Sequence, residues 1–223
     1  MSLDFLKRLA ARLPASWQGE LKRIRYRRQI RRRTFGDSEA EFEMLGTLLE
    51  PGDWVVDVGA NVGHYTKRFS DLVGPTGRVI AFEPVPETFA LLAANVELFE
   101  HQNVTLLNFA ASNTTSVVGL RIPQFNSGLR NFYQATVSQE TGDVQVLTVP
   151  LDSLGLSHRI NLVKIDAEGH DAEVLQGMEG ILTRDLPVLI VESGLASMTG
   201  RLGKLGYRHE TPPNSPNTLF RVP

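Results

Sequence analysis

The chain has 223 residues, 42 % of them hydrophobic, enough to bury one good core, so one domain with appendages is expected. It contains no cysteine, which excludes disulfides, thiolate zinc sites, iron–sulfur clusters and cysteine nucleophiles and fits a reducing compartment. The formal net charge of −2 hides an asymmetry: Met1 to Arg33 carry eleven Lys and Arg against two acids, Asp4 and Glu20, which leaves twelve bases and twenty-three acids to the rest.

From the start of the chain, Leu3, Leu6, Leu9, Ala10 and Leu13 recur at helical spacing with Lys7, Arg8 and Arg12 opposite. Pro14 ends that helix. These charges interrupt the apolar segment a signal peptide needs, and Asp4 argues against a transit peptide. No apolar run reaches the length of a membrane span, and the expected location is cytoplasmic. A second basic stretch, "LKRIRYRRQIRRR", also reads as a helix. It is either a solvated face that packs Ile24, Tyr26 and Ile30 onto the core, or a patch for lipid headgroups, nucleic acid or a phosphorylated sugar carrier. Residues 1–40 are therefore taken as a basic helical arm and 41–223 as the main domain.

From about residue 40 helices and strands alternate. "AEFEMLGTLLE" reads as a helix, "WVVDVG" as a strand after a Pro51–Gly52 turn, and a helix runs from Gly63 to about Val73. "RVIAFEP", a helix started by Pro86, and "VTLLNFAAS" follow. Strands separated by such helices call for an α/β fold with a mostly parallel sheet. Between about 112 and 149 the pattern breaks into short β-prone pieces around "PQFNSGLRNFYQ", an expected β-rich insertion after the third strand. "INLVKIDAEG" is then a strand, "DAEVLQGMEGIL" a helix and "PVLIVES" a strand. "YRHE" and "TLFRV" supply a closing antiparallel pair.

The glycine turn after the first strand reads D-x-G-x-x-x-G, with Asp57, Gly59, Asn61 and Gly63. It is neither the G-x-G-x-x-G of a dinucleotide site nor a phosphate loop, because His64 follows Gly63. Asp57 offers an anion to a cationic group, and Glu83, at the end of the next strand, can accept hydrogen bonds from both hydroxyls of a ribose. A cofactor with a ribose, an amine and no phosphate is S-adenosylmethionine.

The segments "VVDVGANVGHYT", "VIAFEPVPETFALLAANV", "VPLDSL" and "LVKIDAEGHDAEVLQGM" together resemble the FkbM family of S-adenosylmethionine-dependent methyltransferases, over about Gly52 to Ser193. The pairing of "DVGANVG" with "KIDAEG" is the specific part. The resemblance implies a Rossmann-like class I methyltransferase sheet and methyl transfer to an oxygen, often of a sugar or polyketide. It implies that Asp57, Gly59, Ala60, Asn61, Gly63 and Thr66 lie along the methionine end of the cofactor. Glu83 and Pro84 would then lie at its ribose, and Asn108 and Ala110 near adenine. The basic arm lies outside the shared pattern.

In an open parallel sheet the reactive crevice lies beyond the carboxyl ends of the strands. There "KIDAEGHD" supplies Asp166, Glu168 and His170 as candidate bases for a hydroxyl proton. Alternatively Asp166 and Glu192, at neighbouring strand ends, hold Mg²⁺, which lowers the acceptor's pKa. Acceptor selectivity is assigned to the insertion, with Asn126, Arg130 and Tyr133 as substrate residues. The expected partner is a small hydroxylated acceptor such as a saccharide or glycolipid, with the arm on the inner face of an anionic membrane or in a homodimer contact. The rival readings are a nucleic-acid methyltransferase that uses the arginines as a clamp, disfavoured by the acidic catalytic half, and a non-catalytic cofactor-binding scaffold.

Overall fold

Glycine and proline set several element boundaries. Pro86 opens one helix at its first position, where no amide hydrogen is needed. Gly63 (φ +97°) and Gly74 (φ +64°) flank another in conformations that side chains resist. The computed structural model describes residues 14–37, 39–125, 130–131, 134–138, 142–192, 195–213 and 215–223. In chain order the elements are α1 (Ala15–Arg31), α2 (Ala40–Met44), β1 (Trp54–Val58), α3 (His64–Val73), β2 (Arg78–Phe82), α4 (Pro86–Val96), β3 (Val104–Leu107), β4 (Ala110–Ala111) and β5 (Ser116–Arg121). There follow β6 (Thr136–Ser138), β7 (Val144–Val149), β8 (Leu162–Ile165), α5 (Asp171–Gln176), α6 (Glu179–Asp185), β9 (Val188–Val191), α7 (Leu195–Lys204), β10 (Arg208–Glu210) and β11 (Thr218–Arg221).

The main sheet has the order β10-β11-β9-β8-β1-β2-β3. β3, β2, β1, β8 and β9 are parallel, while β11 runs antiparallel to β9 and β10 antiparallel to β11. The winding leaves β1 toward β2 and β3, then returns to β8 and β9 on its other side, which opens a crevice above the ends of β1, β2 and β8. A second sheet, β4-β7-β5-β6, forms the expected insertion after the third strand.

The strand period of two sorts β1 between layers. Val56 and Val58 pack with Ile80, Phe82, Leu151, Val174 and Met178. Val55 points the other way, toward Phe42, Leu45, Tyr65, Phe69 and Val73. Each fully buried apolar side chain of this size contributes about 1.5–3 kcal/mol. A third cluster joins Tyr26, Ile30 and Phe35 to Ala60, Val62, Leu91 and Leu92, so α1 packs on α4 as part of the domain core. Of the three arm residues expected to pack inward, Tyr26 and Ile30 do, but Ile24 is 55 % exposed.

Several elements differ from expectation. The helix expected over residues 3–13 lies outside the described residues. "AEFEMLGTLLE" is helical only over Ala40–Met44, then tightens into a 3-10 turn at Leu45–Thr47 containing Gly46. "VTLLNFAAS" divides between the two sheets, because Asn108 turns the chain by donating from Nδ2 to the Glu83 and Pro84 carbonyls (2.8 and 3.1 Å). "DAEVLQGMEGIL" breaks into α5 and α6 at Gly177, where an added Cβ would lie 1.9 Å from the Ser112 carbonyl oxygen. The carboxylate of Asp152 accepts the Gly180 and Ile181 amides (2.7 and 3.0 Å) and so caps α6.

Candidate functional site

Gly59 places the end of β1 directly against the end of β8. Its φ is +77°, and a Cβ there would lie 2.0 Å from the Asp166 carbonyl oxygen, so a side chain would force the strands apart. The Gly59 and Ala60 amides donate to the Phe82 carbonyl (3.1 and 2.8 Å), tying the turn to β2. Asn61 (φ +51°) donates its amide to Glu83 Oε2 at 2.9 Å, while the Val85 amide donates to Glu83 Oε1 at 2.9 Å. Each Glu83 oxygen thus keeps one lone-pair position for a further donor. Burial pushes the Glu83 carboxyl up to about 7 despite these two amides.

Above these ends lies a cleft of about 280 Å³. Gly59, Ala60, Asn61, Glu83, Pro84 and Ala110 line it, as do Asp166, Glu168, His170 and Glu192. Four other residues expected along the cofactor do not line it and instead hold the turn from behind. Asp57 is fully buried on the α3 side of β1, where Thr66 Oγ1 donates to its Oδ2 at 2.6 Å. Burial raises the Asp57 carboxyl, opposed by the Lys164 ammonium. Gly63 serves packing, because a Cβ there would lie 2.7 Å from Leu92 Cδ1. Asn108 braces the Glu83–Pro84 turn as described. The insertion roofs the cleft with Leu120, Ala135 and Val137, and Val85 and Phe109 add apolar wall.

The acids gather at the ends of β8 and β9. Lys164, itself buried, donates from Nζ to Asp166 Oδ2 at 2.9 Å. Asp166 also shares a hydrogen bond with Glu192. Burial would raise Asp166, but the ammonium and the Glu192 hydrogen bond outweigh it and hold this carboxyl below its ordinary value. Glu192 is pushed up to about 8, first by the Asp166 hydrogen bond and then by burial. The pair therefore holds one proton between two carboxyls at neutral pH. Glu168, in the left-handed region at φ +49°, is raised by burial and by Asp166. His170 Nε2 lies 2.9 Å from Ser112 Oγ and Nδ1 lies 3.5 Å from Glu173 Oε2.

Oxygens of Asp166, Glu168 and Glu192 lie within 4.8 Å of one another. These three carboxylates could hold a divalent ion, which would compete with the Lys164 ammonium for Asp166 and with the proton on Glu192.

Of the expected substrate residues, Asn126 and Tyr133 lie outside the described residues. Arg130 ion-pairs with Glu87 (2.8 Å) and does not line the cleft. Sequence reasoning missed Asp37, Glu39 and Tyr65, which form a wall of the cleft. Tyr65 Oη donates to Glu39 Oε2 at 2.6 Å, and Asn217 Nδ2 donates to the same oxygen at 3.1 Å. Glu41, fully buried behind them, accepts from Ser215 and Asn217, and its Oε1 lies 3.1 Å from Tyr65 Oη. The acid run "DSEAEFE" beside the arginines was the available signal.

The family profile of the Methyltransferase FkbM domain matches residues 57–208. Methyltransferase 1 of Beauveria bassiana is 30 % identical over 146 residues, covering 56 % of this chain and 58 % of that protein. Hexuronic acid methyltransferase AglP of Haloferax volcanii is 30 % identical over 162 residues, covering 70 % of this chain and 63 % of that protein. The crystal structure of methyltransferase FkbM from Methylobacillus flagellatus superposes with a TM-score of 0.54 at 17 % identity, covering 81 % of this chain and 50 % of that one, a likeness of fold alone. The chain thus spans about three fifths of the length of the two curated relatives.

Proposed function

The chain belongs to the FkbM methyltransferase family, and from that premise we propose that it transfers a methyl group from S-adenosylmethionine to a hydroxyl of a small, uncharged polyol, a saccharide in the first instance. The observation that carries this reading is the convergence, around one cleft, of the Gly59–Asn61 turn, the buried Glu83 and the Asp166–Glu192 pair.

The residues present suit the cofactor. Glu83 would take the ribose hydroxyls with its two open lone-pair positions, and the Gly59–Ala60–Asn61 backbone would pass close beside it. Val85, Phe109, Ala110 and Leu120 form an apolar wall for adenine. Asp37 and Glu39 supply negative charge for the cationic methionyl end. When bound, the cofactor supplies an electrophilic methyl group on a cationic sulfur. The chain's own work is then to align an oxygen and to take its proton.

Asp166 is fixed by Lys164, which keeps its Oδ2 charged and in place. An acceptor hydroxyl hydrogen-bonded to Asp166 hands its proton to the Asp166–Glu192 pair once that pair has released the proton it shares. His170 Nε2, at the rim with Ser112, is the second proton acceptor within the same cleft. The roof from Leu120, Ala135 and Val137 keeps water from competing for the methyl group.

The lining carries six carboxylic acids (Asp37, Glu39, Glu83, Asp166, Glu168 and Glu192) against one lysine. A neutral hydroxylated acceptor meets no repulsion there, whereas a hexuronate would face like charge. The AglP relative acts on a hexuronic acid by its name, so acceptor charge is where the two proteins are expected to differ. The test is calorimetric titration with S-adenosylmethionine and, separately, NAD, each with and without Mg²⁺, then methyl transfer to paired neutral hexosides and hexuronosides. Binding of S-adenosylmethionine alone, indifferent to Mg²⁺, with turnover of the neutral sugar, is the expected result. Binding of neither cofactor would overturn the reading, and faster turnover of hexuronosides would overturn the acceptor class.

A further inference from the structure

Helix α1 carries apolar residues on two opposite faces, one buried and one exposed. At 3.6 residues per turn, Trp17, Leu21, Ile24 and Arg28 fall within roughly 60° of one another, and Tyr26 and Ile30 lie on the far side. Tyr26 and Ile30 are buried against the α4 side of the domain. Trp17, Leu21 and Ile24 are 65 %, 50 % and 55 % exposed and point away from it. From Ala15 to Arg33 the chain carries eight Lys and Arg and one acid, Glu20, which is paired with Arg23. Arg25, Arg28 and Arg32 are exposed beside the apolar stripe.

We propose that this outer face of α1 docks on an anionic lipid bilayer. Charge complementarity selects an anionic partner, and a stripe of Trp, Leu and Ile within the arginine field selects a surface that can take up apolar side chains. A bilayer interface offers both, since rings and aliphatic groups enter the headgroup boundary while flanking arginines extend to the phosphates. A nucleic acid would satisfy the arginines and leave the aliphatic stripe in water. The inference stands independently of the methyl-transfer reading, because no residue of this face lines the cleft.

The full chain is sedimented with vesicles of phosphatidylglycerol and phosphatidylcholine, and with vesicles of phosphatidylcholine alone. Binding to the anionic vesicles only, weakened by salt, is expected. Emission from Trp17 should shift to the blue on binding, and W17F should abolish the shift, the other tryptophan, Trp54, being stacked on His158. The R25Q/R28Q/R32Q variant should bind roughly a hundredfold more weakly, at about fivefold per cation near an anionic surface. W17S/L21S/I24S should lose binding by more than about tenfold, with the thermal midpoint unchanged in both variants. Two results overturn the proposal. One is vesicle binding that ignores the apolar variant while single-stranded RNA binds equally well, which marks a polyanion site. The other is failure to bind vesicles together with a stripe-dependent dimer in sedimentation velocity, which marks a contact between copies.

Discussion

Replacing Glu83 by Gln gives a sharp test of the cofactor site. Both carboxylate oxygens already accept a backbone amide at 2.9 Å, which leaves one lone-pair position on each for a ribose hydroxyl. Glutamine turns one of these oxygens into a donor, so it loses one ligand hydrogen bond and faces a backbone donor with another. Loss of a hydrogen bond to a charged group costs about 1.5–3 kcal/mol, so affinity for S-adenosylmethionine should fall roughly 10- to 150-fold at pH 8. The wild-type protein should also show a pH dependence. Glu83 is only 5 % exposed and titrates near 7 when free. Hydroxyl donors bind the ionised form, which is about a tenth of the molecules at pH 6 and about nine tenths at pH 8, so the dissociation constant should worsen roughly tenfold, about 1.4 kcal/mol, as pH falls across that interval. E83Q should lose this slope while retaining whatever Glu192 and Glu39 contribute. Calorimetric titration of both proteins at pH 6, 7 and 8 reads the two effects together. Equal affinity in E83Q, or an unchanged slope, would remove Glu83 from the ribose site.

Asp166→Asn should reduce turnover at least about a hundredfold by removing the proton acceptor, with cofactor affinity changed less than about threefold; a fully active variant would refute the carboxyl-pair mechanism. Wild-type turnover should rise with pH through about 8, as the Asp166–Glu192 pair releases its shared proton. In Glu192→Gln, where an amide donates permanently to Asp166, that rise should vanish, and a pH–rate profile identical to wild type would count against the assignment. Gly59→Ala combines a positive φ with a Cβ 2.0 Å from the Asp166 carbonyl and should destabilise the fold by about 2–5 kcal/mol in urea denaturation. Glu39→Gln removes charge from the cleft wall and should weaken S-adenosylmethionine binding about tenfold, as for a lost charged contact; calorimetry showing no change would separate this wall from the cofactor.

The limits of α3 and the start of α4 were legible because Gly63, Gly74 and Pro86 carry local conformational signals that act without tertiary help. The meeting of Asp166 with Glu192 was legible too, since neighbouring parallel strands bring their carboxyl ends side by side. Asp57 shows where the reading went too far. Strand alternation places Val56 and Val58 on the cleft-side layer and turns Asp57 toward Thr66, and that period of two was present in "WVVDVG". The break between α5 and α6 was not legible, because it answers to Ser112, more than sixty residues earlier, pressing on Gly177. Asp37 and Glu39 were hidden for the same reason. The acid run itself was a local signal, but its bonds to Tyr65 and Asn217 are set by contacts far along the chain. α7 went unread because Gly200 and Gly203 weaken its helical signal, although Met198 and Leu202 are buried.

The wall formed by Glu39 and Tyr65, backed by the buried Glu41, joins parts of the chain that are far apart. Ser215 and Asn217 reach Glu39 and Glu41 across 174 to 178 residues of sequence. Contacts of such separation carry a large loop-closure cost and form only after the intervening sheet has brought their strands together. This side of the cleft is therefore expected to assemble late in refolding, so cofactor-binding competence should lag behind the return of helical signal, as parallel stopped-flow traces of the two would show.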